Sequence, residues 1–296
     1  MKTTTLGHND FVCELLDVDC GSTTPAERAR IKELLFEHRV LVIRGQSLSP
    51  EAYLGFMKSM GAPVRHVLQD LTVPGFPDVL KISDHVLPDG TPTGVLDGGA
   101  YWHSDMSYLP ALGIATSLYA VRACERSGGT GFLDLTRGLR LIEEDAELLR
   151  LLGCRNPRDV LEVEVVHRFG NRHALRDESA PDQKLSDRQH RTLTGSRHRL
   201  VERHPVTGAA SLFATSGSAM EIAGIDEERS TLALDLLEKT LLAALEVYTH
   251  RYEPGDLVIW DNMSTLHQGV GVSPTIEVEE SRLLHRINVN YTEENR

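Results

Sequence analysis

An α+β fold with a mainly β core is what this sequence predicts. Three observations carry the expectation. Short apolar runs bounded by turn residues recur along the chain, helical periodicity is confined to a few segments, and the C-terminal part is strand-rich. In order, "TTPAERARIKELLFEHR" (Thr23 to Arg39) has a capping threonine region, a proline near the first turn and apolar residues at helical spacing, and reads as a helix. "VLVIRG" follows as a buried strand, "SPEAYLGFMKSMG" as a second helix, and "DVLKISD" (Asp78 to Asp84) as a strand. "ATSLYAVRACE" (Ala115 to Glu125) is a strand, "RSGGTG" a turn, and "FLDLTRGLRLI" leads into a helix. "RLVERHPVTGAASLFAT" reads as a hairpin turning at "PVTG", and "DEERSTLALDLLEKTLLAALEVYTH" (Asp226 to His250) as one long amphipathic helix. "DLVIWDN", "STLHQGV" and "RLLHRINVNY" close the chain as strands.

The segment His167 to Arg199 is polar, charged and turn-rich, and is too long for an ordinary connection, so a lid or loop insertion is expected at about 168–199. No repeat or low-complexity linker divides the chain, and 296 residues with 41% hydrophobic content suffice for one domain over 1–296. The 31 Lys and Arg against 43 Asp and Glu give a net charge of -12, which opposes binding to nucleic acid or an anionic membrane. The N-terminus lacks an apolar signal region and no run is long enough to span a membrane. Cys13, Cys20, Cys124 and Cys154 make no CxxC pair and read as core fillers in a reducing, cytoplasmic setting. A small-molecule partner is therefore expected, and a homo-oligomer is compatible with the sequence.

"GGAYWHSDMSYLP" (Gly98 to Pro110) sets an imidazole and a carboxylate two apart, His103 and Asp105, in aromatic surroundings. In an extended strand both would share a face, and a buried carboxylate needs a partner. An HxD spacing is common in a chain with 13 histidines, and a second one, His8 and Asp10, belongs to a polar end. "YEPGDLVIWDNMSTLHQGVG" (Tyr252 to Gly271) adds His267 at the end of a short strand. Two histidines and one carboxylate on neighbouring strands are the ligand set of a non-haem Fe(II) centre, with three positions left open for a bidentate cosubstrate and O2. Zinc usually settles for four ligands with one water. In "SRLLHRINVN", Arg282 and Arg286 are four apart, so both face one side of a strand with Leu284 between them. A guanidinium fork suits a carboxylate, and 2-oxoglutarate supplies one at C5 when its keto acid end is on iron.

The order HxD, Thr in a "GGT" turn, "PGDLVIWDN" with a distal His, then RxxxR resembles the taurine dioxygenase (TauD/TfdA) family of Fe(II)/2-oxoglutarate-dependent oxygenases, from about Phe11 to Tyr291. The resemblance implies a distorted double-stranded β-helix, or jelly roll, with flanking helices, and "RHPVTG" matches the family's hairpin before the long helix. It implies His103, Asp105 and His267 as the iron triad, Thr130 and Arg282 as contacts of the 2-oxoglutarate carboxylate, and Arg286 as an anion-binding arginine. It also implies an oxidation (hydroxylation, cleavage or desaturation) that consumes O2 and releases succinate and CO2. The loop "QGVGVSPTIEVEES" between His267 and Arg282 is longer and more acidic than the family's shorter examples. His66, Gln69, Tyr101 and Phe169 are candidate substrate-lining residues, and Trp102, Tyr108 and Leu284 an apolar wall. A zinc hydrolase would need a positioned general base, and no HExxH occurs. A cupin-like binding protein would not need the two arginines, and a noncatalytic scaffold would not need the triad.

Overall fold

Two facing antiparallel sheets hold the core, and their alternating side chains explain why the strands read as unbroken apolar runs. The computed structural model describes residues 1–8, 10–96, 99–123, 128–173 and 195–292. Its major sheet runs in the order β1 (Lys2–Thr5), β2 (Val12–Leu16), β3 (Val40–Ile43), β15 (Leu257–Asp261), β7 (Gly113–Arg122), β17 (Leu283–Asn290), β6 (Phe76–Ser83) and β5 (Thr72–Val73), with β4 (Ala62–Pro63) also paired to β17. All these pairs are antiparallel except β2 with β3. The minor sheet is β14 (Val247–Arg251), β8 (Gly129–Asp134) and β16 (Thr265–Val270).

Period-two alternation sorts the major sheet's residues between two cores. Leu41, Ile43, Leu257, Ile259, Ile287 and Val289 pack with helices α1 (Pro25–His38) and α2 (Pro50–Met57) on the outer face. Val40, Val42, Val258, Trp260, Leu118 and Leu284 turn inward and meet Phe132 of the minor sheet. Leu133 and Leu266 on the minor sheet's other face join a third core. This one is covered by α3 (Gly138–Glu143), α4 (Ala146–Leu151) and α5 (Glu227–Ala244). A three-stranded sheet, β10 (Ser196–Arg199), β9 (Glu164–His167) and β13 (Ala219–Ile222), and the hairpin β11 (Val201–Arg203) with β12 (Ala210–Leu212) complete the fold. The jelly roll with flanking helices expected from the sequence is the architecture observed.

Local chemistry accounts for the helix starts. Thr24 caps α1 in a capping box with Glu27, and Ser49 caps α2, each followed by proline in the first turn. In α5, Ser230, Ala233, Leu234, Leu237 and Leu241 form the buried stripe below an Asp226 cap.

Three expectations are corrected, and a fourth falls largely outside the described residues. The helix expected over Asp226 to His250 ends at Ala244; Val247–Arg251, with its branched and aromatic residues, pairs instead with β8. Thr130, expected in a turn, lies inside β8, opposite His250 and Gly269. The stretch around His103 and Asp105 is not an extended strand: His103 makes one isolated bridge and a turn follows, with Met106 in the left-handed region at φ 62°. Of the lid expected at about 168–199, residues 174–194 lie outside the described residues, while Ser196–Arg199 is a strand paired with Glu164–His167. The N-terminal strands β1 and β2 are additional to those expected. Cys13 and Cys20 are buried and Cys154 half-buried, whereas Cys124 lies outside the described residues.

Candidate metal centre

The chemistry-bearing residues gather between the inner faces of the two sheets. His103 and His267 exchange both backbone hydrogen bonds, with N–H donating to C=O at 3.0 and 2.9 Å, so their side chains project to the same side. The ring centroids are 4.1 Å apart. His267 sits on β16 opposite Phe132, and Leu266 beside it faces the outer core, so alternation forces the imidazole inward. Gly99 is required over His103, because a Cβ there would lie 2.1 Å from the imidazole Cε1. Gly217 presses on the other side, where a Cβ would approach His103 Cβ to 2.8 Å.

Asp105 Oδ1 lies 3.7 Å from His103 Nε2, and Oδ2 lies 3.6 Å from His267 Nε2. These separations are too long for hydrogen bonds, yet one ligand atom from each residue falls within 4.8 Å of the others and all three are buried. His103 Nδ1 faces the Tyr101 carbonyl at 2.8 Å, which fixes the proton on Nδ1 and leaves the Nε2 lone pair for a metal. Thr116 donates to Asp105 Oδ2 at 2.9 Å, and Asn262 donates to Thr116 at 2.7 Å, so the carboxylate's orientation is set by neighbouring strands. Burial pushes the Asp105 carboxyl up, but Arg286, then His267 and His103, outweigh it and hold the group well below the usual carboxylate range. Burial, reinforced by His103 and partly opposed by Asp105, pushes His267 well below the usual imidazole range. Two imidazoles and one carboxylate in a buried corner fit a divalent ion that keeps further positions open.

Beside this corner is a small cavity, open to solvent, lined by Thr130, Trp260, His267, Arg282, Leu284 and Arg286, among others. Arg282, Leu284 and Arg286 share the inner face of the β17 segment, as their spacing predicts. The Trp260 indole N–H, 1% exposed, has no acceptor among the described residues. Arg286 reaches Asp105 Oδ1 at 3.4 Å through Nη1 and His66 Nε2 at 3.0 Å through Nη2.

The remaining candidates separate. Tyr101 stacks at a tilt on His103 with centroids 5.0 Å apart, and Phe169 meets Tyr108 edge to face at 5.1 Å. Tyr108 lies in the field of Arg286 and Asp105, and burial pushes its hydroxyl up to about 12. Gln69 does not line the cavity: its amide donates to the carbonyls of His66 and, on β6, of Pro77. Thr116 and Asn262 were not found by sequence reasoning. The only signal was a polar pair, Thr116 and Ser117, inside an apolar strand, and an asparagine after "LVIWD".

Comparison with known proteins gives a consistent setting. The family model "Taurine catabolism dioxygenase TauD, TfdA family" matches residues 3–288. A pentalenolactone F synthase from Streptomyces arenae is 27% identical over 90% of this chain and 88% of its own length. An alpha-ketoglutarate-dependent 2,4-dichlorophenoxyacetate dioxygenase from Cupriavidus pinatubonensis is 28% identical over 88% of this chain and 90% of its own. The crystal structure of AAD-2 in complex with Mn(II) and N-oxalylglycine superposes with a TM-score of 0.74 at 23% identity, covering 99% of this chain and 98% of that one.

Proposed function

This chain belongs to the TauD, TfdA family and is an Fe(II)- and 2-oxoglutarate-dependent dioxygenase of small organic molecules, and from that premise we propose that its primary substrate is a small organic acid held by Arg286 and His66. In this reading His103, Asp105 and His267 hold the iron, and Thr130 and Arg282 hold the C5 carboxylate of 2-oxoglutarate. The bound iron and cosubstrate supply the oxidising power: O2 and 2-oxoglutarate are converted to succinate and CO2 as a substrate C–H is oxidised. The protein's part is to bind, orient and exclude water. The chain needs no general base, and Trp260, Leu284 and Tyr108 provide an apolar wall beside the triad.

One observation carries the acid. The Leu68 N–H points at His66 Nδ1 at 3.1 Å while Arg286 Nη2 stands 3.0 Å from Nε2. Burial, reinforced by Arg286, pushes the His66 ring down to about 3, so it is neutral and carries a single proton. A neutral imidazole accepts at one nitrogen only. If Nδ1 accepts from Leu68, then Nε2–H and the guanidinium are two donors facing each other at 3.0 Å, and an anionic oxygen lying to one side of that pair could accept from both. The 2,4-dichlorophenoxyacetate of the Cupriavidus relative's name is a carboxylate of this kind.

The test is a panel of aryloxy, aliphatic and terpenoid acids, each paired with its primary amide, incubated with Fe(II), 2-oxoglutarate and O2 and assayed for succinate. Acid-dependent succinate release that is lost with the amides is expected. Equal stimulation by acids and amides would remove the anion from the reading, and turnover without added iron or 2-oxoglutarate would remove the enzyme class.

A further inference from the structure

A tyrosine hydroxyl stands behind the cosubstrate end of the cavity. Tyr252 follows β14, and its phenol oxygen lies 3.0 Å from Thr130 Oγ1, both groups being buried. The ring does not line the cavity, whereas Thr130 does. It is fixed from behind. His250, paired with Thr130 across β14 and β8, packs edge-on against Tyr252 at 4.8 Å. His250 Nε2 lies 2.9 Å from Asp256 Oδ2, which also accepts from Arg44 at 3.0 Å and from the Glu253 N–H at 3.0 Å. The phenol therefore has one place to be, and that place faces Thr130.

Two hydroxyls 3.0 Å apart share one proton between them, and the direction matters. If Thr130 donates to Tyr252, it offers lone pairs to an anion in the cavity, which is repulsive. If Tyr252 donates to Thr130, the threonine's own proton is left to point into the cavity, where an anionic oxygen accepts it. We propose that Tyr252 is a positioning residue for the cosubstrate, donating to Thr130 and so setting the Thr130 hydroxyl as a donor to the C5 carboxylate of 2-oxoglutarate. The inference rests on the reading of Thr130 as a contact of that carboxylate. The Tyr252 side chain does not line the cavity, so its effect is expected to pass through Thr130.

The experiment is anaerobic equilibrium binding of 2-oxoglutarate to the Fe(II)-loaded protein, for wild type, Tyr252→Phe, Thr130→Val and the double variant. Binding of 2-oxopentanoate, which keeps the keto acid and lacks the C5 carboxylate, is measured alongside. One hydrogen bond that orders a charge-accepting contact is worth about five- to tenfold in affinity. Tyr252→Phe is expected to weaken 2-oxoglutarate by that factor, to leave 2-oxopentanoate and bound iron unchanged, and to add nothing in the Thr130→Val background. An equal loss from Tyr252→Phe with and without the Thr130 hydroxyl, or an equal loss for both keto acids, overturns the positioning role. Thr130→Val binding 2-oxoglutarate as wild type does would instead overturn the Thr130 contact, and the proposal with it. Thermal midpoints of the metal-loaded variants separate either outcome from a general loss of folding.

Discussion

Replacing Arg286 with alanine separates substrate binding from metal binding by the sign of its effect. The guanidinium sits 3.4 Å from Asp105 Oδ1 and 3.0 Å from His66 Nε2, with 12% of the side chain exposed. For an acidic substrate it is one partner of a desolvated charge pair, whose truncation costs about 2 to 5 kcal/mol, or tens to thousands of fold in affinity. For the metal its effect is opposite. A positive group beside the carboxylate competes with a divalent cation for the same oxygen and repels the ion once bound. Arg286→Ala should therefore raise the KM for an acid substrate at least thirtyfold or so, while Fe(II) binds as tightly as in wild type or more tightly. The 2-oxoglutarate affinity should change little, because Arg282 is about 13 Å away along an extended strand. The assays are succinate release against an acid and its amide, and Fe(II) titration under anaerobic conditions. A variant that loses iron and acid together, or that retains its preference for the acid over the amide, would refute the reasoning.

Alanine at His103, Asp105 or His267 should remove most bound Fe(II) and most 2-oxoglutarate turnover, measured by metal analysis and succinate release, while the exposed His8→Ala should change neither. Thr116→Val removes the 2.9 Å hydrogen bond to Asp105 Oδ2 and should weaken Fe(II) about 10- to 100-fold in anaerobic titrations. His167 is fully buried, neither ring nitrogen has a hydrogen-bond partner among the described residues, and burial followed by His198 pushes it from 6.5 down to about 3. The unfolded ring takes its proton near 6.5 and the folded ring only near 3. Its share of stability is therefore complete above pH 6.5 and is lost as pH falls toward 3, about 2 kcal/mol of it by pH 5. Urea titrations of His167→Phe between pH 7 and 5 should show a shallower decline than wild type.

Much of the fold was legible because the physics there is local or periodic. "VLVI" and "LVIW" are unbroken because β3 and β15 are buried on both faces, and Thr24 with Glu27 announces α1 within a few residues. The failures belong to long-range pairing. Lys2–Thr5 is exposed throughout and becomes a strand only because β2 lies beside it. Val247–Arg251 continues a helical pattern in sequence, but β8 offers it a ladder. In the site, residues separated by most of the chain could be nominated as types and spacings, and the register of β16 on β8 then determines that His267 faces inward. Gln69 lies close to His66 in sequence, but its amide is engaged by the carbonyls of His66 and Pro77. Thr116 belongs to no motif, and Tyr252 and Asn262 stand at the ends of the "YEPGDLVIWDN" stretch with nothing in it that announces their partners. Each is an ordinary polar residue whose partner is known only once the sheets are closed.

The backbone bridge between His103 and His267 has a consequence for how this protein survives without its metal. The two proposed ligands are more than half the chain length apart, so an unfolded chain would offer at most the short-range His103 and Asp105 as a weak chelate. Tridentate affinity exists only in the native state, and by linkage the ion's binding free energy is added to the folding free energy. A hundredfold excess of free metal over its dissociation constant contributes about 2.7 kcal/mol, a sizeable part of the stability of an ordinary domain. Iron starvation would therefore act on the amount of this protein as well as on its activity, since the apo chain unfolds more often and is exposed to proteolysis.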